Sequence, residues 1–145
     1  MAKFYSPEQF RELCKEFQKQ EKTILDWKGE EYSTEADRIQ NFREIANFIG
    51  NKPITISPAM VAFVYLMKHV QSIKNALVSN RVDWRWEAEG GEGTKQRVAD
   101  VRNYLLLLSA CVDEQDREDE RWRGVVKEMI AMGFREMPMV GEDTK

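Results

Sequence analysis

The chain has 145 residues, room for one domain of ordinary size, with 42% hydrophobic and 32% charged side chains, 8 Gly and 4 Pro. Twenty-two basic residues stand against 25 acidic ones, a net charge of −3 and a pI near 5.4, which excludes a nucleic-acid binder working by bulk electrostatics. The longest apolar run, Met60 to Met67, is far short of the ~20 residues of a membrane span. Cys14 and Cys111 are the only cysteines, both in apolar helical contexts, and read as reduced thiols of a cytosolic protein. Met1-Ala2-Lys3-Phe4-Tyr5 lacks the apolar core of a signal peptide, which agrees with a cytoplasmic location.

Ser6-Pro7-Glu8-Gln9 opens the first helix, with an N-cap serine, proline at the first helical position and Gln three residues after the cap. Phe10, Leu13, Cys14, Phe17, Ile24 and Leu25 carry it to about Trp27, and Gly29 is expected to end it. Thr34-Glu35-Ala36-Asp37 is a capping box for a second helix, whose stripe is Ile39, Phe42, Ile45, Ala46 and Ile49, with Gly50 as a left-handed stop. Pro53 lies in the connection. Ser57-Pro58 repeats the cap-plus-proline signal for a third helix reaching Leu77. Its run from Met60 to Met67 is apolar on all sides and predicts the central element.

Helical spacing fails from Ser79 to Gly93. Val82, Trp84 and Trp86 alternate with charged residues, as in a short extended piece, and Gly90, Gly91 and Gly93 follow as a flexible segment. Thr94 is the expected cap of a fourth helix. Val98, Val101, Leu105, Leu108 and Val112 recur at spacings of three and four, and Leu106, Leu107 and Cys111 widen that seam, so burial on two sides is expected. Residues 113 to 123 form a charged turn or helix with i, i+4 pairs such as Asp113–Arg117. A last stretch from Arg121 to Met132 ends at Gly133. The expectation is all-α: a compact bundle of four to five helices spanning 1–137, a Trp/Gly-rich loop between helices three and four, and a flexible tail over 138–145. The third and fourth helices carry more apolar surface than three small partners can cover, which predicts a homo-oligomer.

Polar residues at the edges of these apolar faces are the candidate site. Asp100 and Tyr104 are one turn apart and point toward the packed side of the fourth helix. A carboxylate there needs a partner. Lys68 and His69 stand where the apolar run of the third helix ends. Lys28, Glu31 and Tyr32 follow the first helix, and Arg38 and Asn41 are three apart on the second. Convergence of these groups on one pocket is the functional reading; a structural Lys68–Asp100 pair tying two helices together is the plainer one. His69 is the sole histidine, and no second histidine or cysteine cluster supports zinc. Trp84-Arg85-Trp86 reads either as a lid stacking on a flat ligand or as one indole in the core and one over a hydrophobic edge. Gly-Gly-Glu-Gly-Thr-Lys lacks the order of a phosphate-binding P-loop.

Lys28-Gly-Glu-Glu31-Tyr32, then Asn41-Phe42, Tyr65-Leu-Met-Lys68-His69 and Asp100-Val-Arg-Asn103-Tyr104-Leu-Leu-Leu resemble, in order, the nucleotide-modification-associated domain 1 family of small helical phage and prophage proteins. The resemblance covers roughly residues 20 to 112. It implies a phage protein that binds or acts on nucleotides, with Lys28, Glu31, Tyr32, Lys68, Asp100 and Tyr104 at the motif positions. The Asp100 helix is also distantly similar to the all-α nucleotide pyrophosphohydrolases. Those hold magnesium with E-x-x-E and E-x-x-D pairs, whereas Arg97 stands three before Asp100 here and the first helix has no E-x-x-E.

Three functions are consistent with these residues. One is a non-catalytic binder that sequesters a nucleotide, with a host immune signalling nucleotide as one candidate. Lys28, Arg38, Lys68 and Arg85 would then meet phosphates while Tyr32, Trp84 or Trp86 stacks on the base. Another is a magnesium-dependent enzyme or accessory factor of nucleotide metabolism or DNA base modification, using Glu31 and Asp100. The third is a protein–protein inhibitor module with the tryptophan loop as hot spot. The first calls for no metal or cofactor.

Overall fold

A computed structural model describes residues 5–32, 37–50 and 55–133, with the side chains of 28–32 excepted. The protein is all-α, with helices α1 (Pro7–Tyr32), α2 (Gln40–Ile49), α3 (Pro58–Val78) and α4 (Thr94–Ala131), and a two-residue hairpin of β1 (Glu87–Ala88) and β2 (Gly91–Glu92) before α4. The chain divides into two compact units, Met1–Cys111 and Val112–Lys145. Helix α2 begins at Gln40 with Ile39, not Thr34, at its cap position and no side-chain cap bond; Thr34 itself, Pro53 and the tail over 138–145 lie outside the described residues.

Local chemistry sets the helix starts. The Ser6 hydroxyl accepts from the backbone N–H of Gln9, and the Gln9 side chain accepts from the N–H of Ser6, a reciprocal capping box. At α3 the Ser57 hydroxyl accepts from the N–H of Met60, with Pro58 at the first position. The fourth helix departs from expectation. Thr94 is its first residue rather than its cap, and its hydroxyl accepts from the N–H of Asp83 instead, pinning the preceding loop.

Two of the glycine stops differ from expectation. Helix α1 runs through Gly29 to Tyr32, because one glycine costs a helix only about 1 kcal/mol and the flanking residues continue it. Gly50 leaves α2 with φ −71° and ψ 116°, an extended exit that needs no left-handed residue; its N–H still donates to the Ala46 carbonyl. Gly133 does adopt the left-handed conformation, at φ 90°. Residues 113–131 continue α4 without a break. The expected Arg117–Asp113 ion pair is present at 2.8 Å on this solvated helix.

Two apolar clusters hold the first unit. Ile39, Phe42, Ala46, Val61, Ala62 and Cys111 join α2, α3 and α4, and Phe17, Ile24 and Ala99 join α1 to α4. Each fully buried large apolar side chain among them contributes roughly 1.5–3 kcal/mol. Helix α3 is not enclosed on all sides. Val61, Ala62, Leu66 and His69 are buried, while Met60, Phe63, Val64 and Met67 are 43–61% exposed, since α2 and α4 cover one face only. Likewise Leu105 and Leu106 of α4 are about half exposed, so α4 is not covered on two sides there. Cys14 and Cys111 are free thiols, the first half-buried and the second buried. Among the described residues no helix is long and apolar enough to cross a membrane.

Candidate functional site

Three of the expected residues meet where α3 packs on α4. Leu66 and His69 lie three apart on the buried face of α3, which turns the imidazole inward. Ala99, Asp100 and Asn103 form the buried face of α4 opposite. His69 Nδ1 is 3.5 Å from Asp100 Oδ2, and the two side chains are 9% and 2% exposed. The Arg97 guanidinium reaches the same point, 3.5 Å from His69 Nδ1 and 3.9 Å from Asp100 Oδ2, while it is held by Glu92 at 2.8 Å. As a bare nitrogen Nδ1 can accept from Arg97. Asp100 Oδ1 accepts from the Gln96 amide, whose own oxygen accepts from Gln20 of α1. A buried carboxylate is thereby tied to α1, α3 and the β2 strand.

Aromatic rings line one side. Tyr104 stacks on His69 at 5.2 Å and on Tyr65 at 5.9 Å with nearly parallel planes, and Phe42 sets its edge against Tyr104. Tyr65 is 39% exposed, so this aromatic group extends from the core to the surface. A charged and aromatic constellation of this kind can hold a planar, polar ligand by stacking plus charge-assisted hydrogen bonds.

Asn103 was not singled out from the sequence and is the least expected member. It is 4% exposed, and among the described residues neither Oδ1 nor Nδ2 has a hydrogen-bond partner. Leaving such groups unmade costs roughly 1–3 kcal/mol each. Arg97, Gln96, Gln20 and Tyr65 also join the cluster without being among the expected site residues. The available signal was an asparagine directly before the apolar stretch 104–108 of a helix, where Asn is intrinsically disfavoured.

Other expected residues do not join this cluster. No ion pair links Lys68 to Asp100, because Lys68 is exposed and the buried carboxylate faces His69. Arg38 is exposed in the turn before α2, and Asn41 is half-buried at its start. Lys28, Glu31 and Tyr32 fall in the last turns of α1, and their side chains lie outside the described residues.

The Trp84-Arg85-Trp86 segment forms a separate place against α1. Trp86 is half-buried: it packs on Phe17 at 5.2 Å beside the second core cluster, and its indole N–H donates to Glu16 at 3.0 Å. Trp84 is 48% exposed and tilts over Phe17 at 6.2 Å, covering a hydrophobic edge. Lys95 Nζ lies 5.8 and 5.1 Å from the two indole centroids and bonds Glu16 at 2.6 Å. That bond, and secondarily the one from Trp86, holds the Glu16 carboxyl below its usual range against some desolvation. Arg85 is spent on Asp83 through two bonds of 2.7 Å, which lower the Asp83 carboxyl and raise the guanidinium. An open groove of about 290 Å³ beside Trp84 and Lys95 is lined also by Tyr5, Gln9 and Glu12.

Among the described residues, no three His, Cys, Asp or Glu side chains gather where one metal ion would reach them. Compared with family models, curated proteins and solved structures, the chain matches none.

Proposed function

We propose that this protein is a phage-type, non-catalytic nucleotide binder that sequesters its ligand at the α3–α4 site, and that it assembles as a homo-oligomer. The observation that carries the ligand reading is the Asp100–His69 pair buried beside the Tyr104–Tyr65 stack, with Arg97 at its rim. The rings offer a platform for a base, and the guanidinium, 30% exposed, offers a partner for an anionic oxygen. The ordered resemblance to the nucleotide-modification-associated domain 1 family points the same way, and a host signalling nucleotide fits a sequestering role. Arg85 and Arg97 each hold a carboxylate, Asp83 and Glu92, which a phosphate would have to displace. Assembly is supported by the open face of α3, where Met60, Phe63, Val64 and Met67 are exposed together, an unusual patch for a monomer.

The test is to incubate the protein with mixed nucleotides and magnesium, denature it, and identify the released small molecules by mass spectrometry. One intact nucleotide per chain is expected. Processed nucleotide would replace the binder with a magnesium-dependent enzyme, and an empty protein would favour a protein partner on the apolar face. Light scattering reads the assembly independently of ligand.

A further inference from the structure

We infer that two copies of this chain associate by antiparallel pairing of α3, each seating its Met60–Phe63 end in a groove at the far end of the other copy's helix. This rests on the homo-oligomer reading above and deepens it. Along one side of α3, Met60, Phe63, Met67, Val70, Lys74 and Leu77 recur at spacings of three and four, the seam of a helix that pairs with another. All six are exposed, while Val61, Ala62, Leu66 and His69 on the other side are buried. With Val64 and Val78, this seam leaves on the order of 600 Å² of apolar surface open, the most a monomer usually shows and close to the ~800 Å² each partner gives to a stable interface.

The two ends of that face differ in shape. Toward its start Met60, Phe63 and Val64 stand out, 45–61% exposed. Toward its end lies an open groove of about 330 Å³ lined by Val70, Ile73, Lys74, Leu77 and Val78, with Val101 of α4. A cavity of ~150 Å³ already admits a benzene ring, so the groove has room for Phe63 of a second copy. An antiparallel pair centred between Met67 and Val70 sets Met60 of one copy level with Leu77 of the other, and Phe63 level with Lys74. One two-fold axis then places both ridges in both grooves. A parallel pair would set ridge on ridge and leave groove facing groove.

Charge selects the same direction. Helix α3 has no acidic residue, and Lys74 is the one charge on the seam. Parallel pairing would press the two Lys74 ammonium groups together in an apolar contact, where a charge needs a partner. The antiparallel pair holds them about 16 Å apart, beyond the screening length, each beside an aromatic ring.

The deciding experiment is sedimentation velocity on wild type and Met67→Glu, joined to disulfide cross-linking of two cysteine variants. One carries Met60→Cys with Leu77→Cys and the other Met60→Cys alone, both in a Cys14→Ala background because that thiol is half-buried. Positions 60 and 77 of one helix are about 25 Å apart and cannot bridge each other, so a bond between them joins two copies. Wild type should sediment as a dimer. Met67→Glu should keep its helical circular dichroism and raise the dimer dissociation constant by at least about a hundredfold, because each copy would bury an unpaired carboxylate. Val64→Glu serves the same comparison should Met67→Glu disturb folding. The double-cysteine chain should oxidise to a covalent dimer, and Met60→Cys alone should not. A dimer that survives the glutamate, or that cross-links as readily through Met60→Cys alone, would overturn the antiparallel α3 pairing while leaving assembly intact. A wild type that sediments as a monomer at every concentration would sink the homo-oligomer reading, and this inference with it.

Discussion

His69 of α3 and Asp100 of α4 face each other inside the protein, Nδ1 3.5 Å from Oδ2, with both side chains almost wholly out of water. Removing the carboxylate leaves the buried imidazole and the Gln96 amide desolvated without compensation. Asp100→Ala should therefore destabilise the fold by about 3 kcal/mol and abolish ligand binding. Chemical denaturation reads the first effect and nucleotide titration the second. Survival of both stability and binding would show that the site does not converge on this carboxylate.

The two loop tryptophans should separate cleanly by mutation. Trp86→Ala removes a ring packed on Phe17 and the N–H that bonds Glu16, and should cost about 3 kcal/mol. Trp84→Ala, half exposed over the same phenylalanine, should cost about 1 kcal/mol or less. Neither should change nucleotide affinity at the α3–α4 site by more than a few-fold. Equal losses of stability, or a large loss of affinity with Trp84→Ala, would restore the loop to a lid.

Gly93 stands where no side chain fits. Its N–H donates to the Trp86 carbonyl at 3.0 Å, and a Cβ built on it would overlap the Arg85 carbonyl oxygen, a backbone atom with no freedom to swing away. Gly93→Ala should lower stability by about 2 kcal/mol through overpacking and loosen the hairpin before α4. Gly91→Ala is the control, because nothing lies within contact distance of its Cβ. Comparable melting temperatures for the two variants would contradict this packing.

Acid should weaken the protein through its bonded carboxylates. Lys95 lowers Glu16 first and Trp86 adds to it, and the Arg43 bond lowers Asp37 first, with the Ile39 N–H adding to it. Both are depressed when folded, so the unfolded chain takes up protons first as pH drops through the ordinary values of 4.5 and 3.8. Stability supplied by these groups is present above that window and declines below it as the folded-state values are crossed. Lys95→Met should flatten the part of the acid dependence that Glu16 supplies, as followed by melting temperature between pH 6 and 3. An unchanged slope would mean that the Lys95–Glu16 bond is screened by water.

Much of the fold is written in short-range signals. Ser6-Pro7 and Ser57-Pro58 fix two helix starts because a hydroxyl and a locked φ act within one turn, and those starts stand where the residues put them. Glycine stops were less legible at Gly29 and Gly50, where the chain can continue or leave by another backbone route. Asp100 and Tyr104 were visible as polar residues on an apolar face. Asn103 hid between them, since nothing local to it says whether an amide will find a partner.

By itself the sequence determined an all-helical chain, the helix starts at Ser6 and Ser57 and the inward placement of Asp100 and Tyr104, because capping and 3.6-residue periodicity are properties of a single segment. Only tertiary packing decided that Asp100 meets His69 and not Lys68, that Trp86 packs half-buried against Phe17 while Trp84 stays half exposed, and that α3 keeps an open apolar face. Each of those depends on which neighbour occupies the facing side of a helix, and that neighbour comes from residues tens of positions away in the chain.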